Sequence, residues 1–148
     1  IWAHPRTVPG NPFHQWKEVK FDKANRAALN AVKGKQGIYM FVARPDDPHI
    51  SHHSYILYVG ETDDLEGRFD SYFGYRSSTI PSDQLKRIMV IVWEGSLYFN
   101  YIETTFPNKA AREEQEFDLI RSIMPPINDQ FRSKVLSAKM KHLKALVA

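Results

Sequence analysis

The sequence predicts a single α/β domain in which a small, largely antiparallel three-stranded sheet is flanked by helices. Three observations support this fold class. The chain has 148 residues, about the length of one domain. Its 43% hydrophobic and 13% aromatic content is typical of a protein with a packed core. Segments of strand composition also alternate with segments whose apolar residues recur at helical spacing.

Composition excludes several classes of site and location. The chain has no cysteine, which rules out disulfides, thiolate nucleophiles and cysteine-based zinc sites and fits a reducing compartment. No apolar run approaches the roughly 18 residues of a membrane span, and residues 1–20 lack a signal-peptide pattern. We therefore expect a cytoplasmic protein with no membrane partner. A formal net charge of +3 permits binding to a polyanion without requiring it.

The first predicted elements, within residues 1–34, are an extended arm and a helix. Residues 1–20 contain three prolines among large aromatic residues. Proline blocks a helix, and the aromatic side chains favour packing of the arm on the core. Asp22 can cap the helix that follows, and Gly34 can end it.

Two predicted strands come next along the chain. Residues 37–42 and 55–60 are rich in β-branched and aromatic side chains, as strands are. The polar residues 44–54 lie between them. We expect these strands to form an antiparallel hairpin with a long connection.

The next segments predict two helices. Thr62 or Asp63 can cap a helix that carries Arg68 and Tyr72. Residues 82–93 fit either a helix or a strand, because apolar residues at helical spacing overlap a continuous apolar run. We predict a helix that ends at Gly95.

The last segments predict a third strand and two more helices. Residues 97–104 alternate well enough for a strand, and Pro107 suits the first turn of a helix that ends before Pro125. Residues 131–148 predict an amphipathic basic helix, whose charged face is either solvated or lines a DNA groove. We treat residues 1–148 as one domain with a core at about 35–130. The chain could be a module of a longer protein.

Tyrosines, an arginine and a glutamate-rich helix could together supply phosphodiester hydrolysis. This reaction needs a base to activate water, a cation for the developing charge, and usually a metal ion held by a carboxylate. Each residue type alone says little, because buried tyrosines are mostly core residues and an arginine on a helix is usually a surface residue. Their order and spacing carry more information.

The motifs of this chain resemble those of the GIY-YIG nuclease family, over about residues 35–130. Within that family, they are most similar to nuclease domains of bacterial excision repair, and they also resemble restriction and homing enzymes. The matching segments are Gly37-Ile38-Tyr39, Tyr58-Val59-Gly60, Thr62, Leu65, Arg68, Ser71-Tyr72-Phe73, Glu116-Phe117-Asp118-Leu119-Ile120-Arg121 and Pro125-Pro126-Ile127-Asn128.

The resemblance implies roles for four catalytic side chains. Tyr39 and Tyr58 would flank the attacking water, with one of them as general base, and the family does not decide which. Arg68 would contact the scissile phosphate, and Tyr72 would support the site. A tyrosine base starts from an unfavourable ionisation of roughly 4 kcal/mol at pH 7, which a nearby metal ion and arginine would reduce.

The resemblance also implies a metal ligand and supporting residues. Glu116 would hold one divalent ion, Mg²⁺ or Mn²⁺. Helical periodicity alone does not select Glu116 over Glu113, and a surface ion pair between Arg112 and Glu116 is the alternative interpretation. The supporting residues are Gly37, Gly60 and Asn128, the last of which would fix the end of the glutamate helix.

Two features do not follow the family pattern. Glu61 stands where some relatives carry a lysine, so that cation must come from elsewhere or be absent. Three histidines in the long connection invite a zinc interpretation, but no cysteine and no helical i,i+4 pair accompanies them, and we expect a solvated or DNA-facing loop. These histidines are His49, His52 and His53.

The implied partner is DNA, and two alternatives stay open. One is a catalytically inactive GIY-YIG-like module that only binds nucleic acid or protein, and the other is a nuclease that acts on RNA. Cleavage of both DNA strands usually needs two active sites, so a homodimer or a place in a larger multidomain protein fits. The sequence does not identify a recognition site, nicking or double-strand cleavage, or a role in restriction, repair, homing or phage defence.

Overall fold

A four-stranded antiparallel sheet forms the centre of the computed structural model, which describes residues 16–46, 49, 53–128 and 145–146. The strand order is β1-β4-β2-β3. The strands are β1 (Lys17–Lys20), β2 (Gly37–Ala43), β3 (Tyr55–Thr62) and β4 (Leu97–Glu103). The α-helices are α1 (Leu65–Ser71), α2 (Gln84–Val92) and α3 (Lys109–Ile123). Helices of the 3₁₀ type span Lys23–Val32, Tyr72–Ser77 and Pro81–Asp83.

The predicted α/β class is confirmed, with one more strand than the sequence analysis counted. The additional strand β1 pairs with β4, Val19 lying opposite Phe99. Of its four residues, KEVK, only Val19 is apolar, so the segment has no strand periodicity of its own. Its extended form comes from pairing with a distant strand. The rest of the predicted arm, residues 1–15, lies outside the described residues.

Strand β2 is an inner strand of the sheet, and its side chains contribute to two hydrophobic cores, one on each face. It pairs with β3 on one side and β4 on the other, and six of its seven residues are buried. Alternate side chains therefore enter different layers. Tyr39 and Phe41 join the larger core, beneath the helices that follow β3. Ile38 joins the smaller core, together with Ile120 of α3.

Strand β3 is an edge strand, and its register with β2 places the second motif tyrosine. The predicted antiparallel pairing is confirmed, with Tyr39 opposite Gly60 and Phe41 opposite Tyr58. A bulge follows Phe41, because Val42 lies opposite Ile56 and Leu57 has no partner in the register. Tyr58 and Gly60 thus face the same side of the sheet as Tyr39.

The start of α1 differs from the prediction. Asp64 caps the helix by accepting a hydrogen bond from the Gly67 N–H at 3.2 Å, so the prediction of Thr62 or Asp63 as cap was wrong. Asp64 also accepts from the Gly34 N–H at 2.8 Å, which joins α1 to the end of the preceding 3₁₀ helix. Thr62, Asp63 and Asp64 are all residue types that cap helices, so local sequence did not distinguish them.

The predicted cap of the first helix and the assignment of α2 are confirmed. Asp22 accepts a hydrogen bond from the Ala24 N–H at 2.8 Å. Residues 82–92 are helical rather than extended, and Gly95 lies beyond α2 with φ of 81°. That left-handed conformation favours glycine.

Helix α3 begins at Lys109, two residues after Pro107, and it ends before Pro125 as predicted. Pro107 precedes the helix, because Asn108 is the cap and accepts from the Ala111 N–H at 2.9 Å. The helix ends at Ile123, and Met124 adopts a left-handed conformation with φ of 52° before the prolines. The predicted basic helix of residues 131–148 lies outside the described residues, apart from two helical residues at 145–146. None of the described helices is long and apolar enough to cross a bilayer.

Candidate active site

Three tyrosine rings from separate elements meet on one face of the sheet. The ring centroids of Tyr39 and Tyr58 are 6.1 Å apart, those of Tyr39 and Tyr72 are 6.0 Å apart, and those of Tyr58 and Tyr72 are 6.2 Å apart. The hydroxyls of Tyr39 and Tyr72 are hydrogen-bonded at 3.1 Å. Tyr39 also makes a side-chain hydrogen bond with Tyr58. The Tyr39 hydroxyl is therefore the middle of a chain of three phenols.

Glycines at both motifs allow this close packing. A Cβ at Gly60 would overlap the phenol of Tyr39, which lies directly across the sheet register. A Cβ at Gly37 would overlap the backbone oxygen of Ile102 on β4. Both glycines are thus needed for close approach of neighbouring atoms rather than for an unusual φ.

Burial makes two of the tyrosines poor acids. Tyr39 is fully enclosed, and burial raises its pKa well above 10, with Tyr58 adding to the rise and Arg68 opposing it. Burial likewise raises the pKa of Tyr72 well above 10. Both side chains are neutral phenols at pH 7 and can donate hydrogen bonds. Tyr58 is less buried than these two residues.

Arg68 on α1 interacts electrostatically with the tyrosines and with Glu116 of α3. Burial alone would lower the pKa of Arg68, but the surrounding phenols, Tyr39 first, raise it overall. The guanidinium also acts on the carboxyl of Glu116, where it partly opposes the rise in pKa that burial causes. Among the described residues, the buried Nε of Arg68 has no hydrogen-bond partner. A buried donor without a partner is costly unless a ligand accepts from it.

Glu116 reaches the site around the edge of the sheet. Helix α3 covers the face opposite the tyrosines, with Ile120 in the smaller core. The outer side of an edge strand has backbone groups that the sheet does not pair. The backbone N–H of Glu61 on β3 donates to the Glu116 carboxylate. This contact selects Glu116 from the glutamates of α3.

The Glu116 carboxyl is held in a site that disfavours its negative charge. Burial and the nearby Glu61 carboxylate raise the pKa of Glu116 to about 7, while the Glu61 N–H and Arg68 partly oppose the rise. Desolvation and a like charge each favour the neutral form of an acid. The surroundings would therefore favour a cation that neutralises both carboxylates.

Asn128 secures the same edge strand next to the tyrosine motif. Its side-chain oxygen accepts from the Val59 N–H at 2.9 Å, and its amide donates to the Val59 carbonyl at 2.8 Å. The neighbouring Ile127 N–H donates to the Leu57 carbonyl at 2.9 Å. The segment after α3 thus pairs with β3 as a further strand would, and it holds Tyr58 in register.

Arg112 pairs with Glu61, not with Glu116. Its Nε lies 2.9 Å from the Glu61 carboxylate, and its guanidinium donates to Gln36 at 2.7 Å. Gln36 in turn donates to the Phe106 carbonyl at 3.0 Å. The alternative of a surface ion pair between Arg112 and Glu116 was therefore wrong. Arg112 is buried, and its role is to fix the Glu61 side chain.

The side chains at this edge fit a hard divalent cation with few protein ligands. The described residues include no group of three histidine, cysteine or acidic side chains that could hold a metal ion. Mg²⁺ commonly binds through one or two carboxylates and keeps several waters. The Glu116 carboxylate, with Glu61 beside it, matches that pattern. Of the histidines considered for zinc, His49 is exposed and His52 lies outside the described residues.

Sequence reasoning missed Lys86 and Tyr75. The Lys86 ammonium lies 5.4 Å from the ring centroid of Tyr58 and 5.9 Å from that of Tyr72. It donates to the Tyr75 hydroxyl at 3.4 Å. One signal was available, because Lys86 precedes the buried Met89 by three residues and so shares its helix face.

Comparison with known proteins finds similarity among solved structures. No family model and no curated protein matches the sequence. The GIY-YIG N-terminal endonuclease domain of UvrC from Thermotoga maritima, as a point mutant bound to its catalytic divalent cation, matches with 15% identity and a TM-score of 0.48. The match covers 74% of this chain and 99% of that one. The same domain bound to magnesium matches with 16% identity and a TM-score of 0.46, over 72% of this chain and 98% of that one. These similar structures belong to the family whose motifs this sequence resembles.

Proposed function

We propose that this chain is a metal-dependent endonuclease that hydrolyses phosphodiester bonds in DNA. The observation that carries the proposal is the position of Arg68. Its guanidinium acts on the phenols of Tyr39 and Tyr58 and also on the Glu116 carboxylate. These groups come from β2, β3 and α3, which are separated along the chain, and the buried Nε of the shared arginine has no hydrogen-bond partner among the described residues. A base, a cation and a metal ligand in one place are what phosphodiester hydrolysis requires.

Tyr58 is the better candidate for the general base. Tyr39 and Tyr72 are buried, and their raised pKa values keep them protonated. Tyr58 is partly exposed, so a water molecule can reach its hydroxyl. Tyr39, which stays protonated, can donate a hydrogen bond to Tyr58 and so orient the Tyr58 hydroxyl towards that water. Tyr39 would then act as a hydrogen-bond donor, not as the base.

Arg68 would bind the scissile phosphodiester. Its buried Nε needs an acceptor, and the planar guanidinium matches the geometry of phosphate oxygens. An arginine fixed before the substrate binds can stabilise the additional charge of the transition state without reorganisation. Because α1 also leads directly into Tyr72, the same helix positions the phosphate and the phenol chain.

Glu116 would hold the divalent ion, Mg²⁺ or Mn²⁺, next to the phosphate bound by Arg68. When bound, such an ion stabilises negative charge on the phosphate and leaving oxygens. Glu116 must be ionised to do so, so metal binding and loss of its proton are coupled. The Asn128 contacts to Val59 and the Arg112 contact to Glu61 keep this edge in place.

A plasmid cleavage assay tests the proposal. We expect cleavage in Mg²⁺, none in EDTA, and a loss of about 100-fold or more in Glu116→Gln, the scale for removing one electrostatic stabiliser. Glu113→Gln is the matched control, because Glu113 is on the same helix and pairs at the surface with Lys109. Equal activity of the two glutamine variants would remove Glu116 from the site.

The choice of substrate and the inactive alternative need a second assay. Plasmid and labelled RNA tested side by side separate a DNA-directed from an RNA-directed nuclease. If the chain binds the plasmid but cuts neither plasmid nor RNA in Mg²⁺ or Mn²⁺, it is a binding module without the proposed activity. A homodimer or a place in a larger multidomain protein is part of the proposal, since double-strand cleavage usually needs two active sites. A cytoplasmic location is also part of it.

A further inference from the structure

Lys86 of α2 and Tyr75 of the 3₁₀ helix Tyr72–Ser77 form a polar pair beside the tyrosine cluster. The Lys86 ammonium donates to the Tyr75 hydroxyl at 3.4 Å and lies 5.1 Å from the centroid of that ring. It is also 5.4 Å from the ring centroid of Tyr58. All three residues are only partly buried. The Lys86–Tyr75 pair therefore adjoins Tyr58 on a part of the molecule that is not closed off from solvent.

The acidic residues at the two ends of α2 are engaged elsewhere. Asp83, just before the helix, accepts a hydrogen bond from the Ser78 hydroxyl at 2.7 Å. Glu94, just beyond the helix, pairs with Arg76 at 2.8 Å. None of the ion pairs between described residues involves Lys86. Its contacts in that part of the chain are aromatic rings and a tyrosine hydroxyl, which compensate an ammonium only weakly. An anion from outside the chain would compensate it better.

The Lys86–Tyr75 pair offers several hydrogen-bond donors to such an anion. An ammonium has three donors, and the bond to Tyr75 uses one of them. The Tyr75 hydroxyl accepts this bond and keeps its own O–H as a donor. Lysine and tyrosine side chains are among the groups that bind the phosphate oxygens of DNA. The pair thus fits a phosphate group, to which the ammonium supplies charge and the hydroxyl a further hydrogen bond.

Two cations from different helices reach the tyrosine cluster. Arg68 of α1 acts most strongly on Tyr39 among the phenols and also acts on Tyr58. Lys86 of α2 has Tyr75 as its nearest ring and Tyr58 as the next. A DNA strand carries a phosphate about every 3.4 Å along the helix axis. A strand that presents one phosphate to Arg68 therefore brings further phosphates close to the same cluster.

We propose that Lys86 and Tyr75 bind a phosphate of the DNA strand that neighbours the scissile phosphate at Arg68. This inference rests on the proposed function, in which the tyrosine cluster belongs to the nuclease site. Lys86 is then a substrate-binding residue that takes no part in proton transfer. A contact that is made equally in the bound substrate and in the transition state strengthens binding without accelerating the chemical step.

Binding of a fluorescently labelled DNA duplex to the full chain, measured in EDTA at several salt concentrations, tests the inference without cleavage. Each lost contact between a cation and a phosphate lowers the slope of log association constant against log salt concentration by about one. Lys86→Met keeps the apolar stem and removes the charge. We expect this variant to lose about one unit of slope and about tenfold in affinity at low salt. Lys86→Arg should keep the wild-type slope.

Two further variants separate the charge from the hydroxyl and from general electrostatic attraction. Arg87→Met is the matched control, since Arg87 is the next residue of α2 and is exposed, and its slope should equal that of the wild type. Tyr75→Phe should weaken binding by about fivefold with an unchanged slope, because the hydroxyl carries no charge. In the cleavage assay, Lys86→Met and Tyr75→Phe should raise KM and leave kcat nearly unchanged.

A wild-type slope in Lys86→Met overturns the inference, and so does an equal loss of slope in Arg87→Met. A lower kcat with unchanged binding also overturns it and gives Lys86 a role in the chemical step. Lys86→Gln replaces the methionine variant if the latter does not fold.

The failure of the inference and that of the proposed function are distinguishable. If the wild-type chain binds the duplex and cuts no DNA, the proposed function fails, and the slope of Lys86→Met still decides whether Lys86 contacts a phosphate. If the wild-type chain cuts DNA and Lys86→Met keeps the wild-type slope, the proposed function stands and the inference fails.

Discussion

Replacement of Glu116 by glutamine should stabilise the metal-free protein above pH 7. Burial and the Glu61 carboxylate raise the pKa of Glu116 from its ordinary 4.5 to about 7. A carboxyl with a higher pKa in the folded state binds its proton more tightly when folded. The free energy of unfolding therefore decreases as pH rises from about 4.5 to about 7. Glutamine mimics the neutral acid and avoids this decrease.

The size of the effect follows from the pKa difference. A rise from 4.5 to about 7 corresponds to about 3 kcal/mol. Because Glu116 keeps some contact with solvent, screening reduces this figure. We expect Glu116→Gln to raise the free energy of unfolding by about 1–3 kcal/mol at pH 8 and by little at pH 5.

Urea unfolding in EDTA at pH 5, 7 and 8 measures this difference. Glu113→Gln serves as control: its ion pair with Lys109 is exposed, and because Glu113 raises the pKa of Glu116 less than burial and Glu61 do, its change with pH should be clearly smaller than that of Glu116→Gln. Added Mg²⁺ at pH 8 should stabilise the wild type and leave Glu116→Gln unchanged, since only the wild type retains the proposed ligand. A glutamine variant that is less stable than the wild type at pH 8, or a difference that does not depend on pH, would refute the reasoning.

Three further predictions concern the frame of the site. Gly60→Ala should destabilise the protein by about 1–3 kcal/mol and abolish cleavage, because the added Cβ displaces the Tyr39 phenol; wild-type unfolding and cleavage rates would contradict the packing argument. Asn128→Ala should lower the free energy of unfolding in urea by about 2–4 kcal/mol, since the buried N–H and C=O of Val59 lose their hydrogen-bond partners. An unchanged urea midpoint would contradict this and show that water replaces the lost partners. Asp64→Ala should lower the free energy of unfolding by about 1–2 kcal/mol, because α1 loses its cap. Thermal unfolding measures this change. A decrease in midpoint no larger than that of an exposed aspartate variant would contradict the prediction.

Local patterns were enough to predict most elements of the fold. The apolar run of β2 and the spacing of α2 are properties of neighbouring residues, and the structure confirms both. The Asp22 cap is likewise a local interaction, over two residues. Strand β1 was missed because it depends on a partner far away in sequence. The Asp64 cap is local, but Thr62, Asp63 and Asp64 are all residue types that cap helices, and sequence alone did not separate them.

The candidate site shows the same division. Family-like motifs were sufficient to name Tyr39, Tyr58, Arg68 and Glu116, and in the structure the Arg68 guanidinium acts on the other three. The roles of these residues stay predictions. Helical spacing did not distinguish Glu116 from its neighbours. The spacing of Lys86 from Met89 places it on the buried face of α2, but no sequence pattern indicated that this face packs against the phenols.

By itself, the sequence determined the α/β class, the order of the elements and the residue types that could carry phosphodiester chemistry, because hydrophobic periodicity and short motifs are local. Tertiary structure decided which groups meet. The antiparallel register places Gly60 opposite Tyr39, and the exposed side of β3 receives Glu116 and Asn128 from the helix layer behind it. Arg112 turns to Glu61 for the same reason. Those contacts depend on where an edge strand lies in the sheet, which no stretch of neighbouring residues specifies.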